Sequence, residues 1–258
     1  MTSRSDASAE VPFEMPYDQS FYDEQLEGSI GSARVLLGHL NGLLHPTSVL
    51  DIGCGRGAWL TAWRQLGVQD LLGIDGSWNR QDLMIDPTLP FRAADLETAV
   101  DPARRFDLGM SVEVVEHLSP AAGESIVQSL TDCADVVLFS AAFTGQGGVH
   151  HIHERYHSHW GQQFVARGYA VFDAFRPHFW ADERVQPWHR ANVFLYVKRG
   201  HPFCETLNAA EVPRITELSF MDCVHPWLYE RSRVGAIAFR DHVRELLPSL
   251  VRALRRRL

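Results

Sequence analysis

The chain has 258 residues, 45% of them hydrophobic and 22% charged, with a formal net charge of −8. That balance belongs to a globular protein with room for a sizeable core, and it argues against binding nucleic acid through a broad basic face. No apolar run reaches the roughly 20 residues that span a bilayer, no hydrophobic leader follows the opening MTSRSDASAEVPFEMP, and Cys54, Cys133, Cys204 and Cys223 form no CxxC pair, so a reduced, cytoplasmic protein is expected.

Residues 1–15 read as a loose tail. From Pro16 to Leu44 the pattern is helical, with Ile30, Ala33, Leu36, Leu37, Leu40 and Leu43 at helical spacing. Pro46 closes that helix, and Ser48 to Leu60 (SVLDIGCGRGAWL) follows. An apolar strand carrying Asp51 breaks at Gly53, Gly55 and Gly57 and resumes as a helix from Ala58 to Leu66, closed by Gly67. Strands are then expected at Leu71–Asp75, Phe91–Ala94, Phe106–Val112, Val136–Ser140, Tyr169–Phe175 and Asn192–Val197, with helices at Pro120–Cys133 and His159–Arg167 between them. After Gly200, helices are expected at Ala209–Leu218 and Arg231–Leu258, the last amphipathic and ending in arginines. That last helix suits packing or a homodimer contact; a nucleic-acid or membrane contact is the lesser alternative. Apolar strands alternating with helices predict an α/β fold with a mostly parallel sheet.

The glycine turn fits two ligand classes. Gly53-x-Gly55-x-x-Ala58 satisfies the dinucleotide fingerprint, in which a pyrophosphate meets a helix N-terminus. Asp51, two residues before the first glycine, instead suits a ligand with a cationic end, such as S-adenosylmethionine (SAM), which carries an ammonium and a sulfonium. Asp75, ending the second strand just before Gly76, can accept both ribose hydroxyls of either nucleoside.

SVLDIGCGRG resembles motif I of the class I SAM-dependent methyltransferases. With LLGIDG, AADL and FDLGMSVEVVEHL in the same order, the resemblance covers roughly residues 47–198. It implies a Rossmann-like fold with a seven-stranded, mostly parallel sheet and helices on both faces. Residues 1–46 would form a tail and helical lid over a SAM-binding core at 47–199, with residues 200–258 as a helical extension. It implies SAM contacts at Asp51, Gly53, Gly55, Asp75, Gly76 and Ser111, with Asp95 and the Leu96 amide reading the adenine. Tyr17, Phe21 and Tyr22 would close over the cofactor, and Trp180, Trp188 and His189 would shape the acceptor pocket; the alternative for both groups is packing in the hydrophobic core.

Glu113-Val-Val-Glu116-His117 is similar to the Glu-x-x-Glu-His segment of ubiquinone-pathway and small-RNA O-methyltransferases, where these residues help hold a divalent metal. Carried over, Glu113, Glu116 and His117, with His151, would bind Mg, Mn or Zn; the alternative is a purely local structural role. Downstream lies a glycine- and histidine-rich stretch, GQGGVHHIHERYHSH, with His150, His151, His153, His157 and His159. It resembles a block in a group of bacterial methyltransferases, and its three glycines suggest an adaptable loop. His151 and His150 are the expected catalytic histidines, with His117 and Glu113 beside them. One would act as general base, since an imidazole pKa near 6.5 suits that task, or complete the metal site. His157 and His159 are expected on the next helix, pointing elsewhere.

The resulting expectation is a SAM-dependent methyltransferase acting on a hydroxyl oxygen of a small molecule, a sugar or natural product, and producing S-adenosylhomocysteine (SAH). The alternatives are a metal-dependent 2′-O-methyltransferase acting on RNA ends, non-methyl SAM chemistry releasing methylthioadenosine, and SAM binding without catalysis.

Overall fold

The computed structural model describes residues 19–231, with side chains from residue 28. The expected tail, the aromatic lid side chains and the last helix lie outside these residues.

Helix α1 (Gln19–Leu44) precedes an alternating series: β1 (Ser48–Ile52), α2 (Ala58–Gln65), β2 (Asp70–Asp75), β3 (Phe91–Ala93), β4 (Leu108–Val112), α3 (Pro120–Cys133), β5 (Val136–Ser140), α4 (His157–Ala166) and β6 (Tyr169–Phe172). Two short helices, α5 (Arg176–Phe179) and α6 (Pro187–Asn192), lead into β7 (Phe194–Lys198), and α7 (Phe203–Ala209) leads into β8 (Arg214–Ile215). The sheet order is β3-β2-β1-β4-β5-β7-β6-β8. The first five strands pair in parallel, while β7 runs antiparallel between β5 and β6. The chain leaves β1 toward β3 on one side and returns to β4 on the other, so β1 and β4 flank the crevice where an open α/β sheet binds its ligands.

Strand alternation explains the two cores. Val49, Leu108, Met110, Val136 and Leu138 face one side, packed with Leu36, Leu37 and Leu40 of α1 and Trp63 of α2. Leu50, Ile52, Val137 and Phe139 face the other, packed with Ile126 and Leu130 of α3 and Trp160 and Phe164 of α4. Burying each large apolar side chain contributes roughly 1.5–3 kcal/mol. Trp63 also donates its indole N–H to Met110 Sδ at 3.2 Å. Helix α3 starts where its sequence says it should: Ser119 caps the Ala122 amide and Pro120 occupies the first turn.

Two expectations change. The sheet has eight strands, not seven, because β8 adds antiparallel to β6 through Val171–Ile215 and Phe172–Arg214. The helix expected over Ala209–Leu218 does not form: α7 occupies Phe203–Ala209 instead. Pro213 cannot continue a helix and biases the residue before it toward extended backbone, and β8 begins directly after it. The 3₁₀ turn Leu218–Asp222 then latches onto the core. Ser158 donates to Asp222 through its amide (2.8 Å) and hydroxyl (2.6 Å), and Arg176 donates to the Met221 and Phe220 carbonyls at 3.2 Å each. Among the described residues no helix is long and apolar enough to cross a membrane.

Candidate active site

The tips of β1 and β2 carry the first half of the site. Asp51 shares the Val49 face of β1, pairs with Met110 of β4 by register and is almost fully buried. Burial, then the nearby Asp75 charge, pushes its pKa up to about 8. Burial also raises Asp75, to about 6, against the opposing pull of the Gly76 and Gly55 amides, which donate to it at 2.6 Å each. Asp75, at the end of β2, therefore braces the glycine turn. Asn79, which the sequence reading passed over, donates its side-chain N–H to the Gly55 carbonyl at 2.5 Å and completes that brace.

Gly53 requires its residue type twice over. Its φ is 82°, and a Cβ there would run into the Val114 side chain after β4. The motif I turn and the β4 exit are thus in direct contact. Ser111 is fully buried, and its hydroxyl has no hydrogen-bond partner among the described residues. Asp95 is exposed just beyond β3, where it accepts from the Glu97 amide at 3.0 Å, and Leu96 is buried.

The exits of β4 and β5 carry the second half. Glu113 turns the chain at φ 53°, a left-handed conformation that costs a non-glycine residue about 1–3 kcal/mol. The Ser140 hydroxyl holds its amide at 3.0 Å. The Glu113 carboxylate accepts from Asn192 Nδ2 at 3.2 and 3.3 Å and from Gln146 Nε2 at 3.4 Å, and Asn192 Nδ2 also reaches Gln146 Oε1 at 3.0 Å. Neither amide residue was foreseen: Asn192 lies 79 positions along the chain from Glu113.

A 3₁₀ turn, Val115–His117, then carries Glu116 inward. Glu116 is fully buried, and neither carboxylate oxygen has a hydrogen-bond partner among the described residues. Burial, then the Glu113 charge, raises its pKa well above the carboxylate range; burial also raises Glu113.

The His117 and His151 rings meet edge to face at 4.8 Å. Although His117 keeps part of its surface in solvent, desolvation of its ring, followed by the charges of His151 and His150, pulls its pKa down to about 4. One donor atom each from Glu116, His117 and His151 lies within 4.8 Å of the others, a spacing able to hold a metal ion. Glu113, expected as a fourth donor, is not in this group; its oxygens accept from Asn192 and Gln146.

The glycine-rich loop is pinned where adaptability was expected. Glu154 accepts from the Gly145 and Gly147 amides at 2.8 Å each and lies 2.9 Å from His151 Nδ1. Gly145 and Gly147 take φ of 84° and 68°, and a Cβ on Gly148 would collide with the His151 ring. His150 is exposed at φ 59°, and its backbone hydrogen-bonds His117. His153 accepts from Arg155 Nε at 3.0 Å and packs on Trp160. His157 and His159 lie in α4 as expected. His157 is buried against the Met221 carbonyl at 3.1 Å, and His159 packs on Trp160. Of the aromatic group expected at the acceptor pocket, His189 is buried edge-on to Trp59, Trp188 contacts His189, and Trp180 contacts His225.

Residues 22–192 match the methyltransferase domain family. The chain belongs to that family and carries a class I SAM-dependent methyltransferase domain. A ubiquinone biosynthesis O-methyltransferase of Rhodopseudomonas palustris (strain BisB5) is 36% identical over 81 residues, covering 28% of this chain and 30% of its own length. Another, from strain BisB18, is 30% identical over 111 residues, covering 39% and 37%. The chain thus spans about a third of the length of the curated relatives it matches. Streptomyces venezuelae DesVI superposes with a TM-score of 0.53 at 16% identity, over 69% of this chain and 95% of its own. The plantazolicin methyltransferase BpumL, solved with SAH, superposes at 0.50 and 17% identity, over 70% and 88%. At such identities these two likenesses show the fold.

The Asp51 shift has a signed consequence for the free protein. A carboxyl whose folded pKa is about 8, against an unfolded value near 3.9, favours folding fully only below pH ~4, and that contribution is lost as pH rises toward 8. Asp51→Asn removes this dependence. Urea unfolding without cofactor should show the variant gaining on the parent between pH 4.5 and 8, by at least about 1 kcal/mol. A pH-independent difference would contradict the shift.

Proposed function

We propose that this methyltransferase transfers the methyl group of SAM to a hydroxyl oxygen of a small molecule, a sugar or natural-product alcohol, and releases SAH. The observation that carries the reading is the convergence of Glu116, His117 and His151 at the β4 and β5 exits, next to Glu113 and across the Gly53–Val114 contact from the motif I turn. On this reading Asp51 faces the cationic amino-acid end of SAM, Asp75 and Gly76 the ribose, Asp95 and Leu96 the adenine, and Gly53, Gly55 and Ser111 line the cofactor. The names of the ubiquinone-biosynthesis relatives support an oxygen nucleophile. The net charge of −8 disfavours a polyanionic acceptor such as RNA.

Methyl transfer is an in-line displacement, governed by alignment of sulfur, methyl carbon and nucleophile. A lone pair of the acceptor oxygen forms the C–O bond while the C–S bond breaks, its electron pair returning to sulfur. The hydroxyl proton passes to His151 Nε2, the nitrogen not committed to Glu154. Glu113, Gln146 and Asn192 offer the acceptor a polar wall.

A divalent cation is a second reading, favoured by the unpartnered Glu116 carboxylate. The donor set fits one: Glu116, His117 and His151 would hold it with Glu113 nearby, and two imidazoles favour Mn or Zn over Mg. Bound there, the ion would lower the pKa of the acceptor hydroxyl.

Incubating the protein with SAM and a panel of sugars and phenolic or aliphatic alcohols, then analysing by mass spectrometry, should yield SAH and a product heavier by one methylene. His151→Ala should slow turnover by about 10²–10⁴-fold with SAH affinity retained. Methylthioadenosine as the spent cofactor would contradict the reading. For the metal, Mn²⁺ or Zn²⁺ should raise the melting temperature of the parent protein and not of Glu116→Gln; equal responses would remove the ion from the account.

A further inference from the structure

Glu154 has so far appeared only as a neighbour of His151, yet its surroundings give it a larger part. Its side chain is 17% exposed and that of His151 11%. Oε2 accepts from the Gly145 amide, while Oε1 accepts from the Gly147 amide and faces His151 Nδ1. Two amide donors and one imidazole nitrogen therefore converge on one acceptor-only group.

Two consequences follow. A carboxylate already receiving two backbone N–H groups presents Nδ1 with an acceptor, so Nδ1 carries the ring proton and Nε2 keeps its lone pair. The two clamped amides also flank Gln146, whose side chain meets Glu113 and Asn192. One carboxylate thus touches both halves of the acceptor side: the imidazole on one, the amide–carboxylate wall on the other. The glycines are what allow it. Gly145 and Gly147 supply the left-handed turns that aim both amides inward, and Gly148 leaves room for the His151 ring.

We propose that Glu154 is a positioning residue for methyl transfer: it selects the Nδ1–H tautomer of His151 and, by clamping the amides on either side of Gln146, holds that side chain against Glu113 and Asn192. The inference rests on the reading of His151 above, as proton acceptor or metal ligand, since both roles need a lone pair on Nε2.

The test reads the tautomer directly. The full ¹⁵N-labelled chain, with SAH bound and EDTA present, is examined at about pH 8.5, above the ordinary imidazole range. Long-range ¹H–¹⁵N correlations report which ring nitrogen carries the proton, and His151→Ala assigns the signals. The parent protein should show His151 as Nδ1–H. In Glu154→Ala the ring should move toward Nε2–H, and the Gly145 and Gly147 amides should exchange with solvent at least about tenfold faster while the β1–β5 amides keep their protection. An Nε2–H ring in the parent overturns the proposal whether or not Glu154→Ala folds. An unchanged tautomer in a folded Glu154→Ala also overturns it. Neither readout requires a methyl acceptor: failure to find a hydroxyl product would count against methyl transfer to oxygen and leave the tautomer result standing, whereas an Nε2–H ring would count against Glu154 and against Nε2 as proton acceptor or ligand and leave hydroxyl methylation to the product assay.

Discussion

Four acids without a basic partner, three of them buried and the fourth partly so, constrain everything around the strand tips. Asp51, Asp75 and Glu116, all buried, and the partly buried Glu113 are gathered at the C-terminal ends of β1, β2 and β4, and none pairs with an Arg or Lys among the described residues. Burying carboxylates is expensive unless charge or hydrogen bonds compensate. Here desolvation holds all four pKa values above the usual range. At Asp51, whose pKa is pushed up to about 8, the free protein meets that cost with a proton, and at Asp75 the Gly55 and Gly76 amides offset part of it. A cationic ligand could meet it instead, which makes ligand binding and proton loss two sides of one equilibrium.

The scaffold keeps these acids in place through backbone more than through side chains. Gly53 lets the motif I turn lie against Val114, so the first half of the site cannot move without the β4 exit. Asp75 and Asn79 brace Gly55 from both its amide and its carbonyl. On the other side the strained φ of Glu113 is held by Ser140, and the histidine loop is drawn in by Glu154. A non-glycine residue held at positive φ marks Glu113 as a candidate functional position.

What was legible in the sequence was what is local. Strand, glycine turn and helix are contiguous at Ser48–Leu60, and Asp51 stands out there because apolar neighbours surround it. The strand–helix alternation likewise gave β1 to β7 to within two or three residues, and the motif order gave the family. The eighth strand was hidden because two residues carry no periodicity, and the helix expected over Ala209–Leu218 contains Pro213, which ends helical backbone just before β8. On the acceptor side, pairing depends on loop closure. Nothing near Asn192 indicates that it meets Glu113, and Glu154 was visible only as one acid among histidines. The three glycines looked like flexibility because sequence shows that glycine permits unusual angles, not that a carboxylate then fixes them.

The central claim, that buried acids wait for a cationic cofactor, is tested most directly by calorimetric titration of SAH into the protein at pH 7 in two buffers of different ionisation enthalpy. If Asp51 is protonated in the free protein and ionised beside the bound ammonium, binding should release close to one proton, and Asp51→Asn should abolish most of that release. Tight SAH binding with no proton released, or with a release that Asp51→Asn leaves unchanged, would contradict the account.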